Sequence, residues 1–277
     1  MLDLPNTFNF EGYAIKWGQL GAGPPLVLIH GTPFSSQVWR RILPHLTEHR
    51  SVFFYDLSGY GLSEKNAGQD VSLGVQNRLL VALFKEWRLV RPDVVAHDFG
   101  GATALRGYFL NDLRFASLTI FNAVALAPWG SPFVQHVRQN EAAFSGMPDY
   151  MHRALLAAYL QTAAHNTLSP EAIEIYTVPW VGTLGQPAFY RQIAQMDQMY
   201  TDDVEALYRP LDCPVRVLWG HEDSWIPAAK GDALAALISD RSCTHIKGSG
   251  HLVQEDRPEA IVAAILSQIQ TSTPTRG

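Results

Sequence analysis

Short apolar runs alternate along the chain with longer segments in which apolar residues recur at helical spacing. The runs are nearly continuous, which is typical of strands covered on both faces of a parallel sheet. The predicted strands are PLVLIH (25–30), SVFFYD (51–56), PDVVAHD (92–98), ASLTIFN (116–122), PVRVLWG (214–220) and CTHIKG (243–248). Helices are predicted over 37–46, 73–87 and 101–113, and FEGYAIKWGQLG (10–21) predicts a hairpin leading into the sheet. This alternation predicts a doubly wound, mostly parallel α/β sheet.

The alternation stops over residues 127–208, where helical segments are interrupted by prolines and no strand is predicted. About eighty residues exceed an ordinary connection, which is usually a handful of residues. We therefore predict a helical insertion after the sixth strand, between core segments 1–126 and 209–277. Ligands bind at the carboxyl ends of strands in open α/β sheets, so the insertion is interpreted as a lid. The final segment TSTPTRG (271–277) is expected to fray.

Composition narrows the class of partner. The 277-residue chain is 47% hydrophobic, carries a net charge of −5 and lacks a lysine- or arginine-rich run. These features argue against nucleic acid or an anionic membrane surface as partner. No N-terminal leader and no apolar run of spanning length is recognised, so a cytoplasmic location is expected. Cys213 and Cys243 are expected to be free thiols, and neither a metal nor a cofactor is predicted; the oligomeric state is not predicted.

The stretch VVAHDFGG (94–101) places an acidic residue where a buried strand meets a helix. The order small–x–Asp–x–Gly matches a nucleophile elbow, with Asp98 in the nucleophile's position. The helix dipole stabilises a carboxylate there, and the carboxylate can attack an electrophilic carbon to form an alkyl-enzyme ester. The alternative interpretation is that Asp98 only caps the helix that follows.

Two further strand ends carry residues that complete this chemistry. Asp223 follows the strand PVRVLWG, and His251 lies in a loop before the last helix. The chain order Asp98, Asp223, His251 is that of nucleophile, acid and base in this architecture. The HGTP loop after PLVLIH predicts that the backbone N–H groups of Thr32 and Phe99 form an oxyanion hole.

With these motifs the chain resembles the α/β-hydrolase superfamily over essentially its whole length, and YDLSGYGLSEK (55–65) is similar to a loop of that family. Aspartate at the elbow resembles the epoxide hydrolase and dehalogenase branches. The resemblance implies that Asp98 forms the ester and that His251, oriented by Asp223, activates the water that hydrolyses it. Attack of aspartate on an ester gives an anhydride, so an ordinary esterase is disfavoured.

The dehalogenase branches fit these residues less well. Haloalkane dehalogenases usually carry Trp after the nucleophile and Asn or Glu after HG, where this chain has Phe99 and Thr32. A phenyl ring has no N–H to donate to a halide. Trp129 or Trp180 could compensate. The family's alternative acid position holds the amide Asn122. Fluoroacetate dehalogenases carry arginine at the positions of Phe99 and Ala102, where it binds the substrate carboxylate. Neither arginine is present here, which disfavours an anionic haloacid as substrate.

An epoxide ring oxygen needs a proton as the ring opens, and epoxide hydrolases commonly supply it from a tyrosine of the lid. The stretch PAFYRQI places Tyr190 in a similar position, with Tyr150 or Tyr159 as a second candidate. We predict epoxide hydrolysis to a diol, with hydrolysis of a carbon–halogen bond as the alternative. Trp129 and Tyr159 are predicted to bind substrate.

The insertion is rich in methionine and aromatic residues, which predicts a small apolar organic substrate. An alternative from another class is a ligand-binding protein of the same fold without catalysis. The complete set of nucleophile, acid and base argues for an enzyme, because a binding module does not require it.

Overall fold

In the computed structural model, which describes residues 1–271, eight strands form one sheet. The strands are β1 (Asn6–Phe10), β2 (Tyr13–Leu20), β3 (Pro25–Ile29), β4 (Ser51–Tyr55), β5 (Asp93–His97), β6 (Ser117–Phe121), β7 (Val215–Gly220) and β8 (Thr244–Ile246). Their order across the sheet is β1-β2-β4-β3-β5-β6-β7-β8. The pairs β1–β2 and β2–β4 are antiparallel, and all later pairs are parallel. This confirms the predicted mostly parallel α/β sheet.

The central strands β5 and β6 are buried at every position, as their continuous apolar sequences predict. Val95 and Ile120 are at most 1% exposed. Each such side chain contributes about 1.5–3 kcal/mol on burial. The middle of the sheet is therefore a rigid support for the residues that follow the strands.

Helices cover the sheet and connect its strands. They are α1 (Leu43–Leu46), α2 (Leu73–Glu86), α3 (Phe99–Asn111), α4 (Pro132–Ser145), α5 (Asp149–Gln161), α6 (Pro170–Thr177), α7 (Gly182–Ala194), α8 (Met199–Glu205), α9 (Ala228–Ile238), α10 (Val253–Asp256) and α11 (Pro258–Thr271), with 3₁₀ turns at Ser36–Trp39 and Val178–Trp180. Helix α3 packs on β5 and against α2, whereas α11 contacts β6 and α1. Within residues 1–271, no helix combines the length and apolarity needed to cross a membrane.

Two local predictions differ from the structure. Residues 37–46 form a 3₁₀ turn followed by the short helix α1, not one helix. A continuous helix would place Pro44 in its interior, where the ring clashes with a preceding carbonyl and no N–H is available. The hairpin also begins earlier than predicted, because β1 starts at Asn6 and pairs with β2 up to Trp17.

Helices α4 to α8 lie between β6 and β7, in the segment where the sequence predicts a helical insertion. Helix α4 packs against α7, and α5 packs against α6 and α7. We call residues 127–208 the insertion. Its role as a lid stays a prediction, and the predicted frayed segment lies outside the described residues apart from Thr271, the last residue of α11.

Candidate active site

Asp98 occupies the sharp turn between β5 and α3, with φ 53° and ψ −118°. A non-glycine residue in this region costs about 1–3 kcal/mol, so the surrounding structure must hold it there. Asp98 stands at the N-cap position, but its side chain makes no capping hydrogen bond to α3. One carboxylate oxygen, Oδ1, instead accepts a hydrogen bond from the backbone N–H of Thr32 at 2.7 Å. The geometry therefore disagrees with a simple capping role.

Two glycines allow the elbow to approach the neighbouring strand. A Cβ on Gly100 would lie 2.2 Å from the carbonyl oxygen of Ile29, and one on Gly31 would lie 2.3 Å from Cβ of Asp98. Neither distance is sterically possible without backbone movement. The Gly residues of the HG loop and of the elbow thus bring the Thr32 N–H to the Asp98 carboxylate.

The loop after β3 is fixed by the buried side chain of His30. Its Nε2 accepts a hydrogen bond from the backbone N–H of Leu57 at 2.9 Å, and Nδ1 lies 2.9 Å from the carbonyl oxygen of Gly31. This pairing assigns the proton to Nδ1. Burial lowers the pKa of His30, which favours this neutral form. The histidine of the HG pair therefore orients the loop and does not contact the nucleophile's carboxylate.

His251 lies between the two predicted carboxylates. Its Nδ1 is 2.9 Å from Oδ2 of Asp223, and its Nε2 is 3.3 Å from Oδ2 of Asp98. The Nε2 atom is buried and makes no well-aligned hydrogen bond to a residue of the described chain. The structure thus brings the three sequence-predicted residues together, with one ring nitrogen held by the acid and the other facing the nucleophile.

Asp223 is held by four donors. Its Oδ1 accepts the backbone N–H groups of Trp225 at 2.7 Å and Ile226 at 2.9 Å. Its Oδ2 accepts from His251 and from the side-chain amide of Asn122, the latter at 2.7 Å. Asn122 follows β6, where the sequence showed only that it cannot be the acid. The structure shows what the sequence missed, since Asn122 supports the acid supplied by β7.

These contacts set the protonation of the pair. Burial disfavours the charge on His251, but the carboxylates of Asp223 and Asp98 outweigh it and raise the pKa of the imidazole to about 10. Burial likewise opposes the Asp223 carboxylate, yet His251 and Asn122 keep its pKa below the usual value. In the resting site His251 is therefore an imidazolium paired with two carboxylates.

His97, the residue before Asp98, packs beneath the base. Its ring centre is 4.9 Å from that of His251, and its Nε2–H donates to the His251 backbone carbonyl at 3.0 Å. Burial and the charge on His251 lower the pKa of His97 to about 3. His97 is thus neutral at neutral pH and positions the backbone of His251, a role that its place in the sequence did not reveal.

A cavity of about 50 Å³ opens above Asp98. Its volume accommodates only a few atoms, since one water needs about 10–15 Å³ by the same measure. The core contributes Thr32, Asp98, Phe99, Val124, Trp225 and Ile226, and the insertion contributes Trp129, Gly130, Ser131, Val134, Tyr159 and Met196. The lining is mainly apolar, so the nucleophile faces a small hydrophobic space.

The indole groups near this cavity donate their N–H elsewhere. Trp129 donates to Oγ1 of Thr201 at 2.8 Å, and Trp225 donates to Oγ1 of Thr162 at 2.9 Å. Trp180, outside the cavity lining, donates to the Pro33 carbonyl at 2.6 Å. These three indoles therefore offer apolar ring surface and no unengaged N–H for a halide.

Tyr159 and Tyr190, the tyrosines predicted to donate a proton, lie in different surroundings. Tyr159 lines the cavity and stacks on Trp225, with ring centres 4.7 Å apart. Tyr190 is absent from the cavity lining; its hydroxyl donates to Nδ1 of His152 at 2.8 Å. The Nε2–H of His152 donates in turn to the Trp180 carbonyl at 2.8 Å, which leaves Nδ1 as the acceptor. The structure does not place Tyr190 beside Asp98, because its hydroxyl is hydrogen-bonded to His152 on α5, within the insertion.

The alpha/beta hydrolase family model matches residues 26–264. The crystal structure of an alpha/beta hydrolase fold protein from Burkholderia ambifaria is 58% identical, with 96% of this chain and 98% of that chain covered and a TM-score of 0.95. The dihydrolipoyllysine-residue acetyltransferase component of an acetoin cleaving system from Pseudomonas putida is 25% identical, with 95% of this chain and 68% of that protein covered.

A fluoroacetate dehalogenase from Burkholderia sp. is 28% identical, with 72% of each chain covered. The names of these relatives denote different reactions, so they identify the family and leave the substrate to the residues of the site. The family match and the fold support one conclusion, and the arrangement of Asp98, His251 and Asp223 is consistent with it. The chain belongs to the alpha/beta hydrolase family and is a hydrolase of that fold.

Proposed function

We propose that the protein hydrolyses small apolar epoxides to diols through an alkyl-enzyme ester on Asp98. The observation that carries this proposal is the position of the Asp98 carboxylate, which points into the apolar cavity beside Nε2 of His251 instead of capping α3. A carboxylate so placed is a nucleophile toward carbon. The ion pair with His251 requires that the base lose a proton before it acts.

In the first step a carboxylate oxygen of Asp98 attacks an epoxide carbon, and that carbon's bond to the ring oxygen breaks. The ring oxygen takes a proton from the hydroxyl of Tyr159, a residue that lines the cavity. Burial, together with the charge on Asp98, raises the pKa of Tyr159, so the phenol is protonated at neutral pH. Tyr190, the donor predicted from sequence, is replaced in this role because its hydroxyl is bound to His152.

Before the second step His251 gives its proton to the Tyr159 phenolate, which restores the phenol. The neutral imidazole then takes a proton from water, and the resulting hydroxide attacks the ester carbonyl. Ester formation removes the charge of Asp98, one cause of the raised pKa of His251, so the imidazole gives up its proton more readily at this stage. The Thr32 N–H and the Phe99 N–H at the start of α3 stabilise the oxyanion. Collapse breaks the bond between the acyl carbon and the alkyl oxygen, and His251 returns its proton to that oxygen to release the diol. The Asp98 carboxylic acid then passes its proton to His251, which restores the starting ion pair with one water consumed.

The experiment separates the three candidate functions. Purified protein is incubated with short-chain epoxides and, separately, short-chain haloalkanes, while diol and halide are measured. We expect diol from epoxides, and no turnover by Asp98→Ala. In His251→Gln, the peptide containing Asp98 should gain the mass of the epoxide, because the ester forms but is not hydrolysed.

Each other outcome rejects the proposal. Halide release with no diol supports the dehalogenase alternative, which the occupied indole N–H groups disfavour. Tight binding of small apolar molecules by wild type and Asp98→Ala alike, without product or adduct, supports a ligand-binding protein.

A further inference from the structure

A second cluster of chemistry-bearing side chains lies at the edge of the sheet, outside the cavity. Asp232 lies on α9, Cys243 lies just before β8, and His245 lies on β8. Their potential ligand atoms, a carboxylate oxygen, a thiol sulfur and an imidazole nitrogen, are all within 4.8 Å of one another. Within the described residues 1–271, no other group of three such side chains meets this condition.

The surroundings preorganise two of these side chains. Cys243 is 9% exposed and packs close to Gly231, where a Cβ would lie 2.9 Å from its sulfur. Nε2 of His245 lies 2.8 Å from Oδ1 of Asp232, while its Nδ1 is buried with no hydrogen-bond partner in the described chain. The imidazole of His245 therefore directs Nε2 at Asp232 and keeps a buried Nδ1 that no described residue binds.

We propose that Asp232, Cys243 and His245 bind a zinc ion. Thiolate, imidazole and carboxylate are the zinc ligands found in proteins, whereas Mg²⁺ and Ca²⁺ prefer oxygen ligands alone. Zinc bonds of about 2.0–2.3 Å in a tetrahedron place ligand atoms roughly 3.2–3.8 Å apart. The cluster must contract modestly, and the exposed side chain of Asp232 is free to turn. Binding releases the thiol proton of Cys243 to solvent.

Three protein ligands leave a fourth position for water. The ion joins α9 to β8, the edge strand of the sheet. The chain leaves β8 through residues 247–250 and reaches His251. Zinc would therefore tie down the strand that precedes the catalytic base, without touching the cavity itself. The sequence alone did not indicate this site, because Asp232 comes from a different element than the pair Cys243 and His245.

The test uses the full chain, freed of metal with a chelator and titrated with Zn²⁺ by calorimetry. Co²⁺ serves as a spectroscopic substitute, because an intense thiolate-to-cobalt charge-transfer band reports ligation by cysteine. We expect one Zn²⁺ per chain, a rise in Tm on binding, and the charge-transfer band with Co²⁺. Cys243→Ser should abolish the band and weaken zinc binding by at least about 100-fold, and Asp232→Asn should weaken it by about 10–100-fold.

Cys213→Ser is the matched control, since it removes the other thiol and should retain both the band and the affinity. Circular dichroism shows whether each variant is folded. The inference is overturned if Zn²⁺ does not bind in the micromolar range or tighter, if Cys243→Ser binds as wild type does, or if the band follows Cys213. The pair of His245 and Asp232 is then an ordinary surface ion pair.

Discussion

Tyr159 and Tyr190 are both tyrosines of the insertion, but their hydroxyl groups have different surroundings. Tyr159 lines the cavity, whereas Tyr190 is absent from the lining and its hydroxyl is bound to His152. We expect Tyr159→Phe to slow alkylation of Asp98 by an epoxide about 10²–10⁴-fold, the usual contribution of a positioned general acid. Tyr190→Phe is the matched control and should leave that rate within a few-fold of wild type. Single-turnover kinetics measure both.

The opposite result would have a definite meaning. If Tyr190→Phe lost the alkylation rate and Tyr159→Phe kept it, the insertion would have to rearrange when substrate binds, so that Tyr190 leaves His152. If neither variant changed the rate, the ring oxygen would take its proton from another donor and the assignment of Tyr159 would be wrong.

The predicted site residues differ in what fixes their side chains. Asp98, Asp223 and His251 follow β5, β7 and β8 in the parallel part of one sheet, so a strand pattern already places them at one edge. Tyr190 sits on a helix, and its direction depends on packing against His152, a residue 38 positions earlier. No local pattern contains that contact. The role of Asn122 could not be predicted for the same reason, because it depends on a hydrogen bond to Asp223, a residue distant in the sequence.

His97 gives a prediction about acid stability. Folded His97 has a pKa lowered to about 3, whereas an unfolded histidine titrates near 6.5. Below about pH 6.5 the unfolded chain binds a proton that the folded chain refuses, so stability falls as the pH drops from there toward 3. His97→Gln keeps a donor for the His251 carbonyl and removes the titration. Thermal unfolding at several pH values should show a smaller acid-induced loss in Tm for the variant, and an equal loss would contradict the assignment.

Helix α7 joins the insertion to the HG loop through a side chain. Oε1 of Gln192, on α7, accepts from Oγ1 of Thr32 at 2.6 Å and from the Tyr60 hydroxyl at 3.1 Å. Thr32 also donates its N–H to the nucleophile. A single buried glutamine thus connects the insertion with Thr32, which is proposed to form part of the oxyanion hole.

We expect Gln192→Leu to destabilise the protein by about 1–3 kcal/mol, because the buried Thr32 hydroxyl loses its acceptor and the Tyr60 hydroxyl keeps only Oγ1 of Thr32 among the described residues, at 3.4 Å. The same change should lower kcat for epoxide hydrolysis, because Thr32 is no longer fixed at its side chain. Gln186→Leu is the control: on the same helix, Gln186 donates to the carbonyls of Ser145 and Met147 within the insertion. It should reduce stability and leave kcat nearly unchanged. Equal kcat losses in both variants would show that Gln192 acts only through stability.

The strands were predicted more accurately than the helices for a physical reason. Strands β3 to β7 are apolar and buried, so their sequences define them almost alone. The segment 37–46 has helical spacing, yet Pro44 breaks it into a turn and a short helix. Inside the insertion, helix packing depends on contacts between distant segments, such as α4 with α7. Spacing along the chain does not contain those contacts.

At the scale of the whole molecule, the site is the carboxyl edge of five adjacent strands. β3 is followed by the HG loop, β5 by Asp98, β6 by Asn122, β7 by Asp223 and β8 by His251. The sheet order β3-β5-β6-β7-β8 makes these loops neighbours although they span most of the chain. Global unfolding therefore separates every pair in the site, and the charge interactions of the site contribute to global stability.

The raised pKa of His251 predicts how the stability of the protein depends on pH. In the folded protein Asp223 and Asp98 raise it to about 10 against the burial of the ring, and in the unfolded chain it returns to about 6.5. Below about pH 6.5 both states hold the proton and the stabilisation is fully present; as the pH rises toward 10 the folded state alone retains a proton, so the stabilisation is progressively lost.

His251→Gln lacks this titration and leaves the two carboxylates without a cation. The difference in Tm between wild type and His251→Gln should therefore be largest near pH 6 and shrink steadily up to pH 10, as measured by thermal unfolding in matched buffers. A difference that stays constant or widens over this range would show that His251 is neutral in the resting site, and that it can act as a base without first losing a proton.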